Sequence, residues 1–215
     1  MLNFDNANLL LNRPNNQIDG SIISRDQIRV LLSILETTLV NNIHGDIVEF
    51  GCYVGESSKY FRMMLDYYRS NKELYVYDSF EGLPELSRYE ENTGWRSGTL
   101  KTTQDILIHN FLNNGLRPPI ITKGWFKDVP SENIPNKISF AFLDGDFYNS
   151  IYDSLNKIFD RVQTGGIICF HDYERPDLPG VKAAVDDFIM SRSMDNSNYL
   201  QFKIFNQLGV LIKMI

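Results

Sequence analysis

The chain reads as an α/β domain built on a mostly parallel sheet, with helices on both faces and an antiparallel C-terminal edge. Three observations predict this. Short apolar strands alternate with helical segments of ten to fifteen residues, a pattern that demands crossover connections and a parallel sheet. Some strands, such as "ISFAFLD" at 138–144, are apolar almost throughout, which suits the interior of such a sheet. The last two strands, in "LQFKIFNQLGVLIKMI", lie too close together for a helix to join them, so they must run antiparallel.

Each element has its own signal. Residues 1–23 are rich in Asn and other polar residues and are expected to form an irregular arm before one domain at 24–215. "SRDQIRVLLSILETTLVNN" carries Ile28, Leu31, Leu32, Ile34, Leu35 and Leu39 at helical spacing, with Ser24 as N-cap. "DIVEF" is a strand that turns at Gly51, and "ESSKYFRMMLDYYRS" is a helix with Phe61, Met64, Leu65 and Tyr68 on one face. "ELYVYD" is a second strand, ending at Asp78. The stretch 79–102 has no periodicity, and a loop of that length in a compact domain is functional or mobile. "TQDILIHNFLNNG" is a helix stopped by Asn-Gly, and "PPIITKGWF" holds the third strand. After the fourth strand, "SIYDSLNKIFDRV" is a helix with Ile151, Leu155, Ile158 and Phe159 inward. "GGIICF" is the fifth strand, Pro179 opens the next helix, and a tight turn around Asn206–Gly209 joins the final pair.

Composition narrows the function classes. A length of 215 residues with 43% apolar residues suits one domain with a substantial core. The net charge of −6, without a basic run, argues against nucleic acid or an anionic membrane as partner. No apolar stretch approaches the roughly 20 residues that span a bilayer. The N-terminus lacks the basic start and apolar core of a signal peptide, so a cytoplasmic location is expected. Cys52 and Cys169 are too few for a disulfide framework and read as reduced, buried side chains.

Two clusters carry chemistry. "VEFGCYVGESS" places Gly51 and Gly55 in the turn after the first strand, behind the acid Glu49. Ligands of doubly wound sheets bind beyond the carboxyl ends of the strands. The GxGxxG spacing of dinucleotide sites is absent, so these glycines serve either a ligand or chain geometry. Asp78 ends strand two, 23 residues after Gly55, where an acid accepts both hydroxyls of a ribose. The competing role is a turn cap beside Ser79. A ribose acid with a turn that is not of the pyrophosphate type points to S-adenosylmethionine.

The second cluster joins "FLDGDFY" to "FHDY". Asp144 and Asp146 follow strand four, and His171 and Asp172 follow strand five, on the same rim as Gly51 and Asp78. Carboxylates gathered there call for a cation or a protonated group between them. One reading makes Asp144, His171 and Asp172 ligands of a divalent ion of the magnesium, calcium or manganese type. Another makes His171 a general base oriented by Asp172 or Asp144. In a third, Asp146 and His171 cap the helices and loops that follow.

The blocks "NNIHGDIVEFGCYVGESS", "YDSFEGLPE", "KGWFKDVP", "LDGDFYNSIYDSL" and "GGIICFHDYERPDLPGVKAAVDDF" resemble the macrocin O-methyltransferase (TylF-like) family in order and spacing, over residues 24–215. The resemblance implies a class I methyltransferase (Rossmann-like) fold, a seven-stranded sheet in the order 3-2-1-4-5-7-6 with strand seven antiparallel. It implies S-adenosylmethionine as cofactor, magnesium as metal, and a hydroxyl on a sugar or other small molecule as methyl acceptor. By position it assigns Glu49, Gly51, Tyr53, Gly55, Ser57, Asp78 and Ser79 to the cofactor site. The adjoining Cys52, Phe80, Gly124 and Asp144 complete that set, and Trp125 is placed against the adenine or in the core. The family's Asp-Asp pair after strand five falls on His171-Asp172, so an imidazole replaces one oxygen ligand. Tyr89, Trp95 and Arg96, in a lid over 83–102, are candidates to meet the acceptor, and a homodimer is an expectation. The alternatives are an NAD-dependent or nucleotide-sugar oxidoreductase and a cofactor-binding protein without turnover.

Overall fold

The computed structural model describes residues 2–13, 22–193 and 200–214. Seven strands form one sheet in the order β3-β2-β1-β4-β5-β7-β6. These are β1 (Asp46–Phe50), β2 (Leu74–Asp78), β3 (Ile120–Lys123), β4 (Ile138–Leu143), β5 (Val162–Phe170), β6 (Leu200–Phe205) and β7 (Leu208–Lys213). The first five run parallel, and β7 pairs antiparallel with both β5 and β6. This is the order that the family resemblance implies.

The central strands bury both faces, and their side chains divide by period two between two apolar layers. In β5, Ile167 and Cys169 join one layer while Ile168 and Phe170 join the other. The first layer packs under α1 (Asp5–Leu11), α2 (Arg25–Val40), α3 (Glu56–Tyr67) and α4 (Gln104–Asn113). The second packs under α5 (Tyr148–Ile158) and α6 (Pro179–Ser193). Ser24 caps α2 in a reciprocal capping box, its hydroxyl accepting from the Gln27 amide while Gln27 accepts from the Ser24 amide. No helix among the described residues is long and apolar enough to cross a membrane.

Three local expectations change. Residues 5–11, expected to lie in an irregular arm, form α1, which buries Ala7, Leu10 and Leu11 against the first layer. An apolar stripe among the asparagines overrides their loop preference. Residues 14–21 of that arm lie outside the described set. The hairpin turn is tighter than expected: Asn206 and Gln207 both take positive φ, and Gly209 belongs to β7. The loop 79–102 has no helix or strand, yet it is tied down. Leu83 donates to the Thr99 carbonyl and Gly98 to that of Leu83, closing its base. Further along, the fully buried Glu90 accepts from the Tyr148 amide at the start of α5.

Candidate active site

Four backbone hydrogen bonds extend the sheet pattern past the strand ends and line up the turns on one rim. The amide of Gly124 donates to the Asp78 carbonyl, that of Gly51 to Tyr77, that of Asp144 to Phe50 and that of His171 to Leu143. The strand order reverses between β1 and β4, where such sheets bind ligands. Gly51 is required there. Its φ is +89°, and an added Cβ would lie 1.9 Å from the Asp144 carbonyl oxygen. Gly55, also at positive φ, opens α3 and faces Leu107 and Phe111 of α4, so it serves helix packing.

Asp78 brackets two turns. Its Oδ2 accepts from the Tyr53 amide at 2.9 Å and its Oδ1 from the Phe80 amide at 2.7 Å. The turn-cap role weighed for Asp78 is therefore present, and the same carboxylate reaches across to the β1 turn. Burial pushes its carboxyl above the ordinary range. Glu49 lies fully buried behind the turn, where its oxygens accept from the hydroxyls of Ser57 and Ser58. Burial drives its carboxyl up to about 8.

On the other side of the switch point, Nδ1 of His171 lies 2.9 Å from Asp144 Oδ1 and 3.1 Å from Asp172 Oδ2. Burial alone would lower the imidazole, but Asp144 and then Asp172 outweigh it and raise its pKa well above the usual value. Its Nε2 is buried without a hydrogen-bond partner. Asp172 takes a left-handed conformation, φ +54°, which turns the chain back over the rim. Neither Asp146 nor His171 caps α5: the carboxylate at that helix start is Glu90. The Asp146 carboxyl is raised by burial and then by Asp144 and Asp172.

A cleft of about 110 Å³, partly open to solvent, runs along this rim. Of the residues expected from sequence, its lining includes Gly51, Tyr53, Asp78, Ser79, Trp125, Asp144, His171 and Asp172. Glu49, Cys52, Gly55, Ser57, Phe80 and Gly124 stand behind that wall: Cys52 and Phe80 are buried, and Phe80 and Gly124 support Asp78 through their backbone amides. From the lid, Trp95 lines the cleft while Tyr89 stacks on Tyr148 outside it, and Arg96 is exposed. The lining residues not singled out from sequence include Arg175, Phe126, Ser150 and Ile22. Arg175 had a usable signal, an arginine three residues beyond Asp172 in "FHDYERP".

An open α/β sheet of this order, with a buried acid after β2 on one side of the switch point and carboxylates after β4 and β5 on the other, has the fold of a class I methyltransferase. The comparisons with known proteins agree. Residues 6–200 match the macrocin-O-methyltransferase (TylF) family, so the chain belongs to that family and is an O-methyltransferase. It is 28% identical over 188 residues to a tetracenomycin-C rhamnosyl 4'-O-methyltransferase of Streptomyces olivaceus, covering 83% of this chain and 71% of that one. It is 25% identical over 182 residues to the mycinamicin III 3''-O-methyltransferase of Micromonospora griseorubida, covering 78% and 69%. Among solved structures, the O-methyltransferase NovP superposes with a TM-score of 0.77 at 24% identity, covering 90% of this chain and 81% of that one. The calicheamicin methyltransferase CalS11 does so with 0.67 at 18%, covering 96% and 89%. Family membership sets aside the oxidoreductase alternative.

Proposed function

We propose that the protein transfers a methyl group from S-adenosylmethionine to a hydroxyl of a sugar-bearing small molecule. The single observation that carries this reading is that one cleft is lined both by Asp78 and by the Asp144–His171–Asp172 group. With backbone amides on both oxygens, Asp78 is held rigidly and keeps lone pairs for a ribose diol. Gly51 and Tyr53 would receive the amino-acid end of the cofactor, and Trp125 offers a ring to its adenine. The cofactor supplies an activated methyl group, and proximity supplies most of the rate.

The proton of the acceptor hydroxyl goes to the carboxylate side of the rim. Of the three grouped side chains, Asp144 is the most open, at 13% exposure against 3% for His171 and 6% for Asp172. His171 presents Nδ1 to both carboxylates, so it orients Asp144 rather than facing the substrate with that nitrogen. Asp144 is therefore the proton acceptor in this reading, and His171 and Asp172 hold it in line.

The same three residues fit a divalent ion. Their donor atoms lie within 4.8 Å of one another, and an ion held by them would take the place of the proton that His171 Nδ1 shares with the two carboxylates. When bound, the ion supplies positive charge that favours the ionised acceptor oxygen. One imidazole with two carboxylates suits manganese-class ions better than magnesium.

The sugar acceptor is suggested by the rhamnosyl substrate in the name of the Streptomyces olivaceus relative. The test is calorimetry with S-adenosylhomocysteine, followed by transfer of labelled methyl to a panel of rhamnosides and nucleotide-linked 6-deoxysugars. Absence of S-adenosylhomocysteine binding would overturn the reading.

A further inference from the structure

Arg175 has no place in the chemistry above, yet it touches three side chains, two of which, Asp172 and Trp95, line the cleft with it. Its Nη1 lies 3.5 Å from Asp172 Oδ2, the same oxygen that His171 Nδ1 approaches at 3.1 Å. Its Nε and Nη2 meet the two oxygens of Asp177 at 2.8 and 3.2 Å. The guanidinium carbon lies over the Trp95 ring, 5.4 Å from its centroid. The Trp95 indole in turn donates to Asp177 Oδ2 at 3.3 Å. Trp95 belongs to the loop 79–102 and lines the cleft beside Arg175.

We infer that Arg175 is a positioning residue that couples the seating of the loop 79–102, through Trp95, to the orientation of Asp172 toward His171. This rests on the methyltransferase reading for the role of Asp172, but the coupling is a property of the chain. With Trp95 seated, the guanidinium is held against the ring and Asp177, and its remaining nitrogen, Nη1, lies at ion-pair distance from Asp172. With the loop lifted, the aromatic face is gone and Arg175 is free to leave Asp172. Each contact is of a weak, partly exposed kind, so the clasp can part to admit an acceptor and close again. The arrangement suits arginine: one edge binds a carboxylate with two donors, a third nitrogen lies at ion-pair distance from a second carboxylate, and the guanidinium carbon sits over a ring. A lysine ammonium offers neither the fork nor the face.

The coupling is read without any acceptor from the imidazole nitrogen resonances of His171 in 15N-histidine-labelled protein. The chain has three histidines, and His171→Asn assigns the signal. Trp95→Ala is expected to shift the His171 Nδ1 resonance when Arg175 is present and to leave it unmoved in Arg175→Ala, the pattern of a coupled pair. Arg175→Lys should behave as Arg175→Ala, and Trp95→Phe, which keeps an aromatic face, should shift the signal less. An unmoved His171 signal in Trp95→Ala, or an equal shift with and without Arg175, overturns the inference. S-adenosylhomocysteine binding to each variant confirms an intact fold. Its absence in the unaltered protein would sink the methyltransferase reading and leave the coupling result standing.

Discussion

Nδ1 of His171 sits 2.9 Å from Oδ1 of Asp144, and that contact joins the ends of two neighbouring strands, β4 and β5, along the wall of the cleft. If Asp144 takes the proton and His171 orients it, Asp144→Asn and His171→Asn should each lower turnover by roughly 10²–10⁴. His171 is not among the residues assigned to the cofactor, so S-adenosylhomocysteine affinity should stay unchanged in His171→Asn. Labelled-methyl transfer and calorimetry on the same preparations check both halves.

The donor set predicts an order of metal preference. After stripping with EDTA, manganese should raise the melting temperature more than magnesium at equal concentration. Saturation at 100 times the dissociation constant corresponds to about 2.7 kcal/mol, several degrees for a domain of this size. His171→Asp, which restores an all-oxygen set, should reverse the order. Equal shifts by the two ions in both proteins would contradict the ligand role of His171.

Asp78 is predicted to carry much of the cofactor affinity. Removing a charged acceptor of two ribose hydrogen bonds should weaken S-adenosylhomocysteine binding by about 10–100-fold in Asp78→Ala. Asp78→Asn keeps an oxygen for one of the Tyr53 and Phe80 amides and should lose less. Calorimetry separates the two.

Gly51→Ala should destabilise the fold by at least about 2 kcal/mol, because a left-handed conformation and a collision with the Asp144 carbonyl combine. The urea midpoint should fall with an unchanged m-value. A neutral result would contradict the close approach of the turns after β1 and β4.

Glu49 predicts a pH dependence. Its carboxyl is raised from 4.5 to about 8, chiefly by burial, so the folded chain holds a proton that the unfolded chain has lost. The stability this confers is full below the unfolded value and is lost as pH rises through the folded one, at up to about 1.4 kcal/mol per pH unit. Glu49→Gln should flatten that decline between pH 5 and 8, as followed by thermal melts across this range. Parallel curves for the two proteins would show that Glu49 ionises normally.

Much of this architecture is legible in the residues alone, for reasons visible in particular elements. Ser24 and Gln27 mark the start of α2 because a capping box is a local device. The apolar run 138–143 reads as an interior strand because both of its faces are covered. Asp78, Asp144, His171 and Asp172 stand out because polar residues directly after apolar strands fall on one rim. The helix at 5–11 was illegible because its stripe is only two turns long and is set among asparagines. The cap of α5 was illegible because Glu90 lies 58 residues before the amide it binds.

The sequence by itself determines the alternation of strands and helices, the parallel sheet with its antiparallel edge, and the chemical residue types at the strand ends. These follow from periodicity and spacing, which neighbouring residues decide among themselves. Tertiary structure decides the partners. The contact from His171 to Asp144 spans 27 residues and that from Trp95 to Asp177 spans 82. Such contacts depend on strand order and on turns whose geometry arises only when the crossovers pack. That is why an imidazole facing two carboxylates, a carboxylate bracketing two turns, and an arginine clasped under a loop emerge with the fold.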